Sequence, residues 1–131
     1  MDNFLILIND DEKEILNLLE ESLDMTLGYE IVTSNSGEHS LSILRERPVG
    51  LLLTDFRMPK MTGGDLVHEL RSKAGPNQNI PVIFFSAYVD EAIKDTKGIP
   101  KIYYIEKPII LADLVRTIDQ ALKEEQENQA L

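Results

Sequence analysis

Five short apolar runs, each of strand length, recur along this chain and constrain its fold more than any other feature. Between them lie segments in which apolar residues return every three or four positions, which is the spacing of an amphipathic helix. Strands that alternate with helices form parallel sheets with helices on both faces. The apolar runs cover residues 4–8, 29–33, 49–54, 80–85 and 102–105. The sequence therefore predicts an α/β fold with a single doubly wound, five-stranded parallel sheet.

Right-handed crossover connections restrict how such strands can be ordered in the sheet. Five strands of this kind fit the flavodoxin-like order 2-1-3-4-5. The first helix is predicted to begin near Glu12 with Asp11 as its cap, and to end at Gly28. Thr62, followed three positions later by Asp65, marks the start of the third helix.

The helical signal is weakest between residues 89 and 98. This segment has few apolar residues beyond Val89 and Ile93, so we expect a short or mobile helix there. The final helical segment has a clear apolar face, but its last residues lack one and are expected to fray. We therefore predict a domain over residues 1–125, followed by a frayed C-terminal tail at 126–131.

Composition and charge narrow the class of protein. The 131 residues suffice for one domain with a real core, since 43% of them are apolar. No apolar run approaches the ~18 residues of a membrane span, and the acidic start MDNFLILIND is not that of a signal peptide. The chain has no cysteines, and its net charge of −10 argues against binding a nucleic-acid backbone. We expect a cytoplasmic protein that binds neither nucleic acid nor membrane directly.

Charged and hydroxyl side chains stand at the carboxyl ends of four predicted strands. In an open α/β sheet, the ligand crevice lies just beyond these ends. Taken alone, Asp55 could equally be a cap for the loop that follows its strand. The strand order 2-1-3-4-5, however, brings all of these side chains to one edge of the sheet. They are Asp10, Asp11, Asp55, Ser86 and Lys107.

Three carboxylates at one edge repel each other. A pair 4 Å apart costs about 1 kcal/mol in water and about 4 kcal/mol at an effective dielectric constant of 20. Oxygen ligands without His or Cys suit a hard divalent cation, and a small ligand set that leaves positions for water favours Mg²⁺ over Ca²⁺. The sequence therefore predicts a Mg²⁺ site, with Lys107 as an additional positive charge.

The set of strand-end residues resembles the receiver domain of two-component response regulators over essentially the whole chain. Four segments carry the resemblance in the order and spacing of that family. They are ILINDDE, LLLTDFRMPKMTGG, VIFFSA and YIEKP. Each motif alone is weak, but together, each at the end of a predicted strand, they are highly specific.

The resemblance implies a role for each of these side chains. Asp55 is implied to be the phosphoacceptor, because its carboxylate can attack phosphorus as a nucleophile. Ser86 and Lys107 are implied to bind oxygens of the phosphoryl group. The ligands implied for Mg²⁺ are the carboxylates of Asp10, Asp11 and Asp55 and the backbone carbonyl of Arg57.

The implied function is a signalling switch in a two-component phosphorelay. The implied phosphodonor is a phosphohistidine on a sensor histidine kinase or a histidine phosphotransfer protein. The chain is not expected to be an enzyme, although it takes part in its own phosphorylation and dephosphorylation. A downstream protein or output domain is implied to bind the surface formed by the fourth helix, fifth strand and fifth helix.

Tyr104 matches the aromatic switch position of the family. The resemblance implies that phosphorylated Asp55 draws the Ser86 hydroxyl toward itself, and that the Tyr104 ring then packs into the vacated space. The alternative is that Tyr104 is an ordinary aromatic residue of an edge strand, since Tyr103 lies beside it.

Other positions qualify the resemblance. Asn9 stands where an apolar residue usually precedes the acidic pair, and it is expected to bond either to nearby backbone or to the metal shell. Arg57 and Tyr88 flank the implied phosphoryl site, and their bulk predicts restricted water access and a longer-lived phosphoryl group. The Lys107–Pro108 bond is expected to be cis by resemblance.

Two other functions are alternatives for a chain with this sequence. One is a receiver-like protein-interaction module that works without phosphorylation, which the intact set of strand-end residues disfavours. The other is an aspartyl-phosphate phosphatase of the haloacid dehalogenase type. That family requires an Asp-x-Asp motif after its strand, whereas Arg57 occupies the second position here.

Overall fold

Five strands and five helices alternate strictly along residues 4–130, the part of the chain that this computed structural model describes. The strands are β1 (Leu5–Asn9), β2 (Glu30–Ser34), β3 (Leu51–Thr54), β4 (Val82–Ser86) and β5 (Ile102–Glu106). The helices are α1 (Lys13–Leu27), α2 (Gly37–Glu46), α3 (Gly63–Ser72), α4 (Val89–Asp95) and α5 (Leu111–Ala130). All strand pairs are parallel, and the sheet order is β2-β1-β3-β4-β5. The fold class and strand order predicted from the sequence are confirmed.

The central strands are buried on both faces. In β1, Leu7 joins a core cluster that includes residues of α2, α3 and α4, whereas Ile6 and Ile8 join a second cluster with residues of α1 and α5. In β3, Leu52 and Leu53 divide between the two clusters in the same way. This burial on both faces explains why the strands are continuous apolar runs instead of alternating ones.

The start of α1 differs from the prediction. Asp11 does not cap this helix: the N-cap residue is Glu12, which makes no side-chain capping bond. The Glu12 N–H is instead bonded to Oδ1 of Asp10 at 2.8 Å. The carboxylate at the very end of β1 is therefore the one that reaches the first turn. At the other end, Gly28 stops the helix as predicted, with a left-handed φ of 70° that glycine adopts without strain.

The start of α3 agrees with the prediction. Thr62 Oγ1 accepts from the N–H of Asp65, and Oδ2 of Asp65 accepts from the N–H of Thr62, each at 3.0 Å. This capping box begins the helix immediately beside the candidate site. A Cβ at Gly63 would lie 2.2 Å from the backbone oxygen of Asp55. Only glycine allows α3 to begin this close to the end of β3.

Helix α4 is short, as predicted, with seven residues. The sequence points to Val89 and Ile93 as its core contacts, but Ile93 is 45% exposed and the fully buried residue of the helix is Ala92. Helix α4 packs against β4 and β5, and the small Ala92 side chain permits a close approach that a larger apolar residue would block. The mobility of this helix stays a prediction.

Helix α5 continues to Ala130. Residues 126–130 are therefore helical, although the sequence predicted a frayed tail from 126, and Leu131 lies outside the described residues. Four of these five residues are Gln, Glu or Ala, which are strong helix formers, so the helix persists after its apolar face has ended. The domain boundary at residue 125 stays a prediction. None of the helices in the described residues is long and apolar enough to cross a membrane.

Candidate functional site

The three predicted carboxylates meet at the carboxyl edge of the sheet. Asp10, Asp11 and Asp55 each offer an oxygen, and these oxygens all lie within 4.8 Å of one another. Asp10 is fully buried, Asp55 is 7% exposed and Asp11 is exposed to solvent. β1 and β3 are neighbours, with Asn9 paired to Thr54, so the residues that follow these two strands must converge. An all-oxygen set of this kind fits a hard divalent cation such as Mg²⁺.

Lys107 joins this cluster from the end of β5. Its Nζ lies 3.1 Å from Oδ2 of Asp55 and 3.4 Å from Oδ2 of Asp10. Burial by itself would lower the pKa of Lys107, but the two carboxylates outweigh burial and raise it. The lysine is therefore held charged between the two buried acids. The Lys107–Pro108 peptide bond that follows is cis, as the resemblance implied.

Asp10 is a carboxylic acid of this cluster whose pKa is raised. Burial raises its pKa from 3.8 to about 6, although the Glu12 N–H and Lys107 both act to lower it. One lysine does not compensate for three carboxylates in a buried site. The cluster therefore has an excess of negative charge that a bound divalent cation would balance.

The Asp55 carboxylate has a defined orientation. Its Oδ1 accepts from the backbone N–H of Phe56 at 2.7 Å, and its Oδ2 accepts from Lys107. The backbone N–H of Asp55 donates to the carbonyl of Asn9 at 2.9 Å. The side chain is thus held at the edge of the sheet instead of turning back into the core.

Ser86 lies at the end of β4, next to β3, and is completely buried. Its Oγ accepts from the backbone N–H of Tyr88 at 2.9 Å, so the hydroxyl is engaged with the segment that leads into α4. The backbone carbonyl of the same residue accepts from the N–H of Lys107 at 3.0 Å. Ser86 therefore links the end of β4 both to the lysine and to the start of α4.

Arg57 and Tyr88, which the sequence predicted to flank the site, contact each other. The Arg57 guanidinium carbon lies 3.8 Å from the centre of the Tyr88 ring, a cation–π arrangement. Both Arg57 Nε and Nη2 donate to the carboxylate of Glu91. Sequence reasoning missed Glu91, because nothing local to a helix residue indicates that it will pair with a loop residue 34 positions earlier.

Tyr104 is tied to both the sheet and the end of α4. Its ring stacks on Phe84, with ring centres 6.0 Å apart and planes at 12°. Its hydroxyl lies 2.6 Å from Oγ1 of Thr96. The Thr96 hydroxyl hydrogen is used in a bond to the carbonyl of Ala92 at 2.7 Å, so the tyrosine is the donor to Thr96. Thr96 was not singled out from the sequence.

Asn9 differs from one of the two expectations, a bond to nearby backbone, and the other, a bond to the metal shell, stays a prediction. The sequence left open a bond to nearby backbone or to the metal shell. The side-chain Nδ2 instead donates to Oγ1 of Thr54 at 3.2 Å and to the sulfur of Met58 at 3.4 Å. Thr54 is the last residue of β3 and Met58 lies in the loop that follows it, and Asn9 itself is fully buried.

Comparison with known proteins identifies the family. The family model for the response regulator receiver domain matches residues 6–119. The chain therefore belongs to the response regulator receiver family. Its order β2-β1-β3-β4-β5 and the strand-end residues described above are the features that the resemblance in the sequence anticipated.

Among the curated relatives, the nisin biosynthesis regulatory protein NisR of Lactococcus lactis subsp. lactis is 33% identical over 124 residues, covering 94% of this chain and 52% of that protein. The probable transcriptional regulator ycf27 of Cyanophora paradoxa is 38% identical over 91 residues, covering 70% of this chain and 36% of that protein. The chain thus spans between about a third and about half of the length of these relatives.

A solved structure supports the fold independently. The CheY-like response regulator receiver domain protein from Methanospirillum hungatei JF-1 superimposes with a TM-score of 0.87, over 97% of this chain and 99% of that chain, at 24% identity. The chain is the receiver domain of a two-component response regulator.

Proposed function

We propose that this receiver is a phosphorylation switch in which Asp55 accepts a phosphoryl group from a phosphohistidine. The observation that carries the proposal is the position of Lys107, whose ammonium group lies between the buried carboxylates of Asp55 and Asp10. A lysine held charged beside a strand-end aspartate is well placed to neutralise a phosphoryl group on that aspartate.

The chemistry follows from these contacts. An oxygen of the Asp55 carboxylate attacks phosphorus, an O–P bond forms, and the P–N bond to the donor imidazole breaks. The imidazole nitrogen takes up a proton as it leaves. Lys107 neutralises charge on the phosphoryl oxygens, and Ser86 turns from Tyr88 to donate its hydroxyl hydrogen to one of them. The protein supplies positioning and charge, and it is not an enzyme with a separate substrate.

Mg²⁺ is the proposed cofactor. The residues that would hold it are Asp10, Asp11 and Asp55, together with the backbone carbonyl of Arg57. When bound, it would neutralise the acidic cluster and the charge of the transferring phosphoryl group. The convergence of three carboxylate oxygens, one pair of them buried, supports this assignment.

The proposed donor is a sensor histidine kinase or a histidine phosphotransfer protein. A groove lined by apolar side chains runs beside the site, between α1 and the start of α5, and Lys107 lies in both. Leu18 and Leu111 both line this groove, and they are 64% and 39% exposed. A protein that brings a phosphohistidine to Asp55 could bury these side chains. We propose that this phosphoryl transfer from the donor to Asp55 takes place in the cytoplasm.

The proposed output surface consists of α4, β5 and α5, where a downstream protein or output domain would bind. Support comes from the chain of contacts from Ser86 through the start of α4 to Thr96 and Tyr104. A change in the Ser86 hydroxyl therefore has a physical route to this surface, without direct contact with nucleic acid by this domain.

The deciding experiment treats the chain with a small phosphodonor, such as acetyl phosphate or phosphoramidate, in the presence of Mg²⁺. Mass spectrometry should show the addition of one phosphoryl group, mapped to residue 55, and none in Asp55→Asn. Phosphorylation of the wild-type chain should also require Mg²⁺. A wild-type chain that stays unmodified with every donor would reject the proposal in favour of a module that works without phosphorylation.

A further inference from the structure

Asn9 is an unusual residue for its place in the fold. It is the last residue of β1, it is completely buried, and its neighbours along the strand are all apolar. Its side-chain Oδ1 has no hydrogen-bond partner among the described residues. A buried carbonyl without a partner destabilises a fold, because it loses its hydration and receives nothing in return. Packing alone therefore gives no reason for an asparagine here.

The other half of the same amide makes two bonds, one to the last residue of β3 and one to the loop that follows it. One hydrogen of Nδ2 is donated to Oγ1 of Thr54. Since a carbonyl can only accept, the Thr54 hydroxyl donates onward to the backbone oxygen of Asp55 at 2.8 Å. The backbone carbonyl of Asn9 accepts from the N–H of Asp55. Asn9 thus holds the N–H of Asp55 directly and its carbonyl through Thr54.

The second hydrogen of Nδ2 is donated to the sulfur of Met58, three residues beyond Asp55. One side chain therefore holds both ends of the segment 55–58. Arg57, whose carbonyl is the proposed fourth metal ligand, lies between these two points. The position of that carbonyl relative to the carboxylates depends on how firmly this short loop is held.

We propose that Asn9 is a positioning residue for the acidic site, acting through the 55–58 loop. It raises the affinity of the site for a divalent cation and accepts a loss of stability at its own buried carbonyl. The inference rests on the proposed function, because the value of a rigid loop is the alignment of its oxygen ligands.

The test compares the wild-type chain with Asn9→Val, which keeps a strand-forming residue and removes the amide. The dissociation constant for Mg²⁺, measured by calorimetry, should rise about three- to tenfold, the change expected from the loss of one ordinary hydrogen bond. The urea midpoint without metal should stay the same or increase, because removal of the unpartnered buried carbonyl offsets the loss of the two bonds from Nδ2. Amide exchange of Phe56 without metal should become faster, because its acceptor Asp55 is held less firmly.

Three results would overturn the inference: a dissociation constant within twofold of wild type, unchanged exchange at Phe56, or weaker Mg²⁺ binding accompanied by a lower urea midpoint. The last would mean that Asn9 only supports the fold. Ile8→Val is the matched control, since Ile8 is also buried in β1 but belongs to the cluster on the opposite face. That variant should lower the urea midpoint and leave Mg²⁺ binding unchanged.

A second pair of variants examines the relay itself. Thr54→Val should weaken Mg²⁺ binding in the same direction as Asn9→Val, and the double variant should show less than the sum of the two effects, because both break one chain of bonds. Additive effects would contradict the relay. If the wild-type chain neither binds Mg²⁺ nor accepts phosphate, the proposed function fails. The amide exchange of Phe56, compared without metal in wild type and Asn9→Val, would still show whether Asn9 holds the loop in place.

Discussion

Single residues at this site carry negative charge that a bound cation would balance, and in the absence of a cation this charge lowers the stability of the fold. Asp10 is the clearest case, because its carboxylate is buried and has the raised pKa of about 6. The folded chain binds a proton at Asp10 more tightly than the unfolded chain, in which the pKa is near 3.8. The contribution of Asp10 to stability is therefore full below pH 4 and is lost as the pH rises through 6.

Asp10→Asn should accordingly stabilise the metal-free protein at neutral pH. Asparagine keeps an oxygen for the Glu12 N–H and removes the buried charge, so we expect the free energy of unfolding to rise by about 1–3 kcal/mol. The same variant should lose Mg²⁺ binding. Urea unfolding at pH 7, with and without Mg²⁺, measures both effects. Asp11→Asn, at an exposed position, should change the metal-free stability less, and equal stabilisation by the two variants would contradict the explanation.

We predict that Arg57 restricts the access of water to Asp55. Its guanidinium stacks on Tyr88 and is bonded to Glu91, which holds it in a fixed position two residues after Asp55. Arg57→Ala should shorten the lifetime of the phosphoryl group severalfold, because water reaches phosphorus more easily. Loss of phosphate after removal of the donor, followed by intact mass, gives the rate. A wild-type lifetime of only seconds would contradict the protective role.

Glu91→Gln removes the charge that holds Arg57 in this position. Exposed ion pairs are worth about 0–1 kcal/mol, so the lifetime should fall by no more than about fivefold, less than in Arg57→Ala. Asp90→Asn, on the neighbouring exposed position of the same helix, serves as the charge-matched control and should leave the lifetime unchanged.

At the scale of elements, loop residues connect helix ends and strands by more hydrogen bonds than the sequence indicates. Residues 74–79 have the composition of a simple loop, yet Asn77 within them is 2% exposed. Its Nδ2 donates to the carbonyls of Leu44 and Arg47, and its Oδ1 accepts from the N–H of Val49. One side chain thus satisfies the end of α2 and the approach to β3.

Asn77→Ala should lower the free energy of unfolding by about 2–3 kcal/mol, because it leaves buried backbone groups without partners. Asn79→Ala, at an exposed position of the same loop, should change it by less than about 0.5 kcal/mol. Chemical denaturation of the two variants provides the comparison. Similar effects from both would mean that the buried bonds are not the cause.

Helix α4 is the element that the switch is expected to change. The proposed signal passes from Ser86 to Thr96 and Tyr104, and such couplings are usually worth about 1–3 kcal/mol. Beryllofluoride, as a mimic of the phosphoryl group, should therefore slow amide exchange over residues 88–100. Exchange that stays unchanged in this segment on binding the mimic would contradict the coupling.

Thr96→Val tests the contact between Thr96 and Tyr104, because it removes the acceptor for the Tyr104 hydroxyl. The protection of residues 88–100 by beryllofluoride should be reduced in this variant. Thr117→Val is the matched control: Thr117 makes the same bond to the carbonyl four residues earlier in α5. Its loss should leave the protection unchanged.

At the scale of the whole molecule, the proposed donor groove and the α4 part of the proposed output surface lie on opposite faces of the sheet, while α5 contributes to both surfaces. The groove beside Lys107 belongs to α1 and the start of α5, whereas Tyr104 packs with the cluster that contains Ala92 of α4. A donor protein can therefore occupy the groove while the response develops at α4.

Leu18→Ser should slow phosphoryl transfer from a phosphohistidine protein and leave labelling by acetyl phosphate unchanged, because a small donor does not need the groove. Ile93→Ser removes a similarly exposed apolar side chain from α4 and should affect neither reaction. Rates of transfer and of acetyl phosphate labelling are compared for the three proteins. Equal loss with both donors in Leu18→Ser would indicate damage to the site instead of to docking.

The sequence by itself determined the sheet and the membership of the site. Continuous apolar runs require strands buried on both faces, and right-handed crossovers restrict the strand order to a few arrangements, among which the flavodoxin-like order 2-1-3-4-5 is the one observed. The residues directly after each strand then share one edge, whatever the details of packing. Asp10, Asp55 and Lys107 could therefore be assigned to one site, and their contacts bear this out.

Only the tertiary structure decided which side chains support that site. The bonds from Asn9 to Thr54 and Met58, and from Arg57 to Glu91, join residues 34 to 49 positions apart. Periodicity and capping signals act within one or two helical turns, so they assign a residue to an element and a face. The partner across that face depends on strand register and on where the neighbouring loop passes, and these are properties of the folded chain.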